Sequence, residues 1–166
     1  STISGLALNF TSPSSSSTLQ PAVGSTTADG NVIGRSNEVI IFLGAKSISG
    51  STLATAGQTG RTGYSGSGSD VAALSSALNA KDSSTNFEPI AGSSQVNTNK
   101  TFYYDTDLTT HNDALSSGKT DFYSVMVHEI GHVMGFSNSN SAWTANTSGS
   151  FWTGANAKAQ YNNENV

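Results

Sequence analysis

The stretch from Phe122 to Met134 constrains this chain more than any other. Asp121 precedes it, a side chain suited to capping a helix N-terminus. Gly135 follows it, a residue that tolerates the left-handed position just past a helix end. Between them only Ser124 and the residues of one motif interrupt an apolar run. The pattern predicts a helix buried nearly all round. Such a helix needs cover, and a sheet is the expected partner.

The motif lies in the second half of this helix. His128, Glu129, Ile130, Gly131, His132, Val133, Met134 and Gly135 read H-E-x-x-H-x-x-G. Histidines four residues apart project from one helix face, one turn above the other. That spacing lets both imidazoles reach one zinc ion at about 2.0–2.1 Å. Glu129, beside the first histidine, is placed to accept a proton from a zinc-bound water. The chain has three histidines, and two of them fall here. Two histidines and a glutamate are costly to bury without a purpose. The expected chemistry is metal-assisted hydrolysis: His128 and His132 hold Zn2+, and Glu129 is the general base that later protonates the leaving amine. A surface carboxylate is the plain alternative for Glu129, and it fits poorly on an otherwise apolar helix.

The third ligand is open. Three residues after Gly135 stands Asn138, whose amide oxygen is a poor zinc ligand and which reads as a loop residue. His111 sits upstream in a polar segment and reads as a solvated histidine. Glu164 is a carboxylate well downstream, close to the last residue.

Composition narrows the setting. Charged residues make up 11% of the chain, against about 25% in an average soluble protein. Ser, Thr, Asn and Gly fill the deficit, which suits an extracellular or cell-surface protein. Seven Lys and Arg at a net charge of −4 are too few for a phosphate-tracking surface, so no nucleic-acid partner is expected. The absence of cysteine removes disulfides, thiolate metal sites and a cysteine nucleophile. No apolar run reaches the length of a membrane span. The 166 residues, which begin at Ser1 and show no signal peptide, read as a single domain.

Along the chain, Thr2 to Phe10 reads as a strand and Ser12 to Thr18 as a loop around Pro13. Pro21 to Gly34 is also loop-like. Glu38 to Leu43, closed by Gly44, is the clearest strand, and its unbroken apolar character predicts burial on both faces. Gly57 to Ser69 reads as a surface loop. Asp70 to Leu78 reads as a short helix with Asp70 as its cap. Phe87 to Gly92 is a turn leading into an extended Ser93 to Asn97, and Thr101 to Asp105 is a strand. Asp107 to Lys119 is a polar connection. Ser137 to Ser150 reads as a long polar loop, and Gly154 to Tyr161 as a short helix.

Several of these segments resemble secreted bacterial metalloproteases of the metzincin clan related to leishmanolysin. The resembling segments are Glu38 to Gly44 (EVIIFLG), Phe87 to Gly92 (FEPIAG) and Phe102 to Asp105 (FYYD). The most specific is Asp121 to Phe136 (DFYSVMVHEIGHVMGF), and Phe151 to Ala157 (FWTGANA) follows it. The resemblance implies an α+β fold. Its expected form is a metzincin-like upper subdomain, a twisted, mixed and mostly parallel sheet packed on the buried active-site helix. It implies a secreted zinc endopeptidase acting on polypeptides, with Ala91 to Asn97 as the edge strand that pairs with an extended substrate. It also places the third histidine and the methionine turn after Val166, since Met126 and Met134 lie inside the helix. Structural Ca2+ around Asp105, Asp107 and Asp113 is a further expectation, against the plainer reading of turn formers. Asn9, Asn99 and Asn146 begin glycosylation sequons.

A second class of function competes with the peptidase. A low-charge surface and a chain corresponding to one subdomain also suit a non-catalytic extracellular structural protein that keeps a protease-derived fold. Its partners would be further copies of itself, joined through uncovered strand edges and apolar faces. A third class is a binding module in which zinc is only structural.

Overall fold

A computed structural model describes residues 6–23, 25–27, 38–62, 72–73, 75–76, 87–107, 109–110 and 114–161. The fold is α+β. Its centre is a three-stranded sheet of β3 (Ile40–Lys46), β6 (Ala91–Asn97) and β4 (Ala54–Gln58), in the order β3-β6-β4. β3 runs parallel to β6, with Ile40 against Ala91 and Lys46 against Asn97. β4 runs antiparallel, with Ala54 against Val96 and Gln58 against Gly92. A second sheet joins β2 (Thr18–Leu19), β1 (Ala7–Thr11) and β5 (Gly60–Thr62), all antiparallel. Two short pairs complete the strands among the described residues: β7 (Phe102–Tyr103) with β8 (Thr120–Asp121), parallel, and β9 (Thr147–Ser148) with β10 (Phe151–Trp152), antiparallel. Three helices lie wholly within the described residues: α1 (Phe122–Val133), α2 (Ser141–Thr144) and α3 (Ala155–Gln160).

The pleat of the central sheet sorts its side chains onto two faces. Ile40, Phe42 and Ala91 point one way and pack with Leu8 and Phe10 of β1, the Phe10 and Phe42 rings lying 4.6 Å apart. Ala54, Gly92, Ser94 and Val96 point the other way, toward α1. Val96 and Ala54 pack with Val125, Phe122 and Phe102. Gly92 lies so close beneath Val133 that an added Cβ would collide with both of its γ-carbons. The small residues of this face let the helix approach the sheet. The helix seats over β6 and β4, and Leu43 on β3 remains 63% exposed.

The structure corrects several expectations. The sheet is mixed but not mostly parallel: four of the six strand pairings among the described residues are antiparallel. β6 is the central strand, not an edge, because β3 and β4 occupy its two sides. β3 is half-buried rather than covered on both faces. It runs through Gly44 to Lys46, because that glycine admits the Pro13–Ser14 turn against the strand. α1 is covered along one side only: Val125, Glu129 and Val133 are buried, while Tyr123, Val127, Ile130 and Met134 are exposed. Part of the segment read as a glycine-rich loop extends β4 to Gln58 and forms β5. Ser137 to Ser150 contains α2 and β9 rather than loop alone. Of the helix read over Asp70 to Leu78, Ala72, Ala73, Ser75 and Ser76 are helical, and the rest lies outside the described residues. The strand expected from Thr2 begins, among them, at Ala7.

Candidate metal centre

The N-terminus of α1 is fixed twice. β8 pairs with β7 immediately before it. Asp121 then caps the helix, its carboxylate accepting from the Ser124 backbone N–H at 2.9 Å and from the Ser124 hydroxyl at 2.5 Å. The Ser124 hydroxyl, and after it the backbone N–H, hold the Asp121 carboxyl below the usual carboxylate range.

The C-terminus closes with two crossed bonds. Gly135 N–H donates to the His132 carbonyl at 3.1 Å, and Phe136 N–H donates to the Gly131 carbonyl at 3.0 Å. This pairing defines a Schellman turn, and Gly135 takes the left-handed conformation it needs, with φ +97°. The turn brings the Phe136 carbonyl back over the helix, 2.7 Å from His132 Nδ1. A carbonyl can only accept, so Nδ1 carries the hydrogen and Nε2 of His132 keeps its lone pair. Histidines that hold metals are oriented by a bond of this kind.

The two motif histidines converge. Their Nε2 atoms lie 3.0 Å apart, with the rings at 86° to each other. Two nitrogens on one tetrahedral zinc at about 2.0–2.1 Å would be about 3.3–3.4 Å apart. A change of a few tenths of an ångström, with the His128 hydrogen moved from Nε2 to Nδ1, would make the pair into two zinc ligands. In the structure the contact is a hydrogen bond, in which His128 Nε2–H donates to His132 Nε2. His128 is exposed and His132 half-buried.

Glu129 is 6% exposed. It lies on the sheet-facing side of α1, yet it also lines a cleft of about 510 Å³ together with His128, Ser124, Val125 and the segment Ser51–Ala54. Its Oε2 atom is sealed from solvent and has no hydrogen-bond partner among the described residues. Burial pushes its carboxyl up, against the opposing pull of His132 and His128.

The far wall of the cleft is held by Asn97, which is fully buried. Its Nδ2 donates to the Ile48 and Thr52 carbonyls at 2.8 and 2.7 Å, and its Oδ1 accepts from Ile48 N–H and Asn99 N–H, both at 3.0 Å. One side chain thus uses all its hydrogen-bonding capacity to tie the β3–β4 connection to the turn that follows β6.

Of the remaining expected residues, Asn138 is exposed in a turn. Asp105 and Asp107 accept hydrogen bonds from the backbone N–H two residues ahead, at 2.8 and 3.0 Å, the geometry of turn formers. His111, Asp113 and Glu164 lie outside the described residues. Among the described residues no group of three or more His, Cys, Asp or Glu side chains is placed to hold a metal ion, and no helix is long and apolar enough to cross a membrane. Sequence reasoning missed the Phe136 carbonyl, Asn97 and the Ser51–Ala54 wall. The only signal for any of them is the glycine at 135, which implies a turn but not where the next carbonyl will point.

No family model, no curated protein and no solved structure matches the chain.

Proposed function

We propose that this chain carries the catalytic helix of an extracellular, metzincin-like zinc peptidase acting on polypeptides. The observation that carries the reading is the convergence of His128 and His132 Nε2 at 3.0 Å beside a buried Glu129 that reaches a cleft. His128 and His132 would hold zinc through Nε2, with the Phe136 carbonyl fixing the second ring. Zinc supplies a polarised scissile carbonyl and a water acidified toward a pKa of about 7. Glu129 takes the water proton and delivers it to the departing amine. A carboxyl raised by burial is a better base for that task than an ordinary one. The substrate strand is assigned to the outer edge of β4. No strand among the described residues pairs with that edge, and the cleft begins where β4 begins.

The test is zinc content and hydrolysis of a denatured protein such as casein. The expected outcome is about one zinc per chain, with Glu129→Gln retaining the metal and lowering hydrolysis by roughly 10²–10⁴-fold. Hydrolysis that persists in Glu129→Gln, or after zinc is stripped, overturns the assignment.

One observation favours the second reading, a self-associating structural protein. Tyr123, Val127, Ile130 and Met134 form an exposed apolar stripe on α1, and Phe136 is 56% exposed beyond its end. Large assemblies in sedimentation, with no hydrolysis at any zinc concentration, would replace the first reading by the second.

A further inference from the structure

Two polar atoms beneath α1 are sealed from solvent and lack a hydrogen-bond partner among the described residues: Glu129 Oε2 and Ser94 Oγ. The register of the sheet sets them against each other. On the face of β6 that meets the helix, Gly92 lies under Val133, and Val96 packs against the cluster of Ala54, Phe102 and Val125. Ser94 is the residue between them on that face. Glu129 is the residue between Val125 and Val133 on the helix. Across the sheet, Ser94 is paired with Ala56 of β4, which has no side-chain donor to offer.

We propose that Ser94 is a positioning residue for Glu129, its hydroxyl donating to Oε2. The two oxygens do not bond as they stand in the structure; a turn about the serine χ1 and the soft terminal torsion of the glutamate brings them together. One contact satisfies both orphaned atoms. It also anchors one carboxylate oxygen against the sheet, leaving the other for the cleft. The role rests on Glu129 being the general base, but the contact requires neither metal nor substrate.

The experiment is therefore a double-mutant cycle on thermal unfolding of the full chain in EDTA, with Ser94→Ala and Glu129→Leu. Removing the hydroxyl leaves Oε2 buried without a donor, so Ser94→Ala alone is expected to lower Tm by roughly 2–10 °C. In the Glu129→Leu background no oxygen remains to be satisfied, and Ser94→Ala is expected to leave Tm unchanged or raise it. An equal fall in both backgrounds, or no fall in either, overturns the proposal. Glu129→Ala replaces Glu129→Leu if the latter does not fold. Where hydrolysis is measurable, Ser94→Ala should lower kcat several-fold, with KM and zinc content unchanged. A failure of the hydrolase reading leaves the Tm cycle intact, so the two ideas fail separately.

Discussion

Gly135→Ala tests how the helix end and the metal pair are joined. At φ +97° an alanine must hold a left-handed backbone, at a cost of about 1–2 kcal/mol. Its Cβ would also lie 2.5 Å from Phe87 Cδ1, 2.8 Å from Cε1 and 3.1 Å from Cγ. Contact as far back as Cγ means the ring cannot simply swing away, and such overpacking costs about 1–3 kcal/mol. The sum is about 2–5 kcal/mol, or a fall in Tm of roughly 4–20 °C for a chain of this size. Gly118→Ala is the control. Gly118 has φ +77° but nothing within 4 Å of an added Cβ, so it should show the backbone term alone. The difference between the two variants measures the clash with Phe87. If the Schellman turn opens, the Phe136 carbonyl leaves His132 Nδ1, and loss of such a partner weakens metal binding by about 10–100-fold. Thermal unfolding in EDTA gives the first quantity, and competition with a chromophoric zinc chelator gives the second. A Gly135→Ala protein no less stable than Gly118→Ala, with zinc affinity within twofold of the parent, would refute the link.

Two further predictions follow from the walls of the site. Asn97→Ala should remove the side-chain partner of the Ile48 N–H, the Thr52 carbonyl and the Asn99 N–H, while the Ile48 carbonyl keeps Asn99 Nδ2, and cost about 1–3 kcal/mol in urea unfolding; a loss under about 0.5 kcal/mol would mean that water replaces the amide. Asp121 has a folded-state carboxyl held low by Ser124, so its stabilising effect is complete above its unfolded pKa of about 3.9 and is lost as pH falls through the lower folded value. Exchange protection of the Ser124 amide should therefore weaken below about pH 4, and Asp121→Asn should remove that pH dependence while keeping the cap. An unaltered pH dependence in the variant would assign the effect elsewhere.

What the sequence revealed was local. Asp121 as cap and Gly135 as terminator are choices made by a few neighbouring backbone groups, and both stand where they were read. The helix after Gly154 was equally visible. The order β3-β6-β4 was not, because pairing between distant strands leaves no mark on either one. Ala91 to Asn97 looks the same in sequence whether it is an edge or a centre. β5 shows the same limit: Gly60–Thr62 has no strand-like composition and is extended because β1 pairs with it. Ser94 could not be singled out among the serines until the register set it beneath Glu129.

The expectation of a helix buried all round failed for a reason that explains the motif. At about 100° per residue, α1 has three stripes. Val125, Glu129 and Val133 face the sheet; Ser124 and His128 border the cleft on one side of them, with His132 one turn on from His128. Tyr123, Val127, Ile130 and Met134 form the third stripe, exposed and apolar. Mean apolarity cannot separate the first stripe from the third, so a count of hydrophobic residues predicts cover on both. The carboxylate stands in the middle of the sheet-facing stripe and still lines the cleft. One residue on from His128, it turns far enough toward the sheet to be buried, and not so far that it leaves the cleft. Had the carboxylate stood at Ile130, it would lie in the exposed stripe, with its ordinary affinity for protons and no wall to hold it. The spacing between His128 and Glu129 therefore fixes more than adjacency to a metal. It places Glu129 where the sheet buries its carboxyl and the cleft still reaches it.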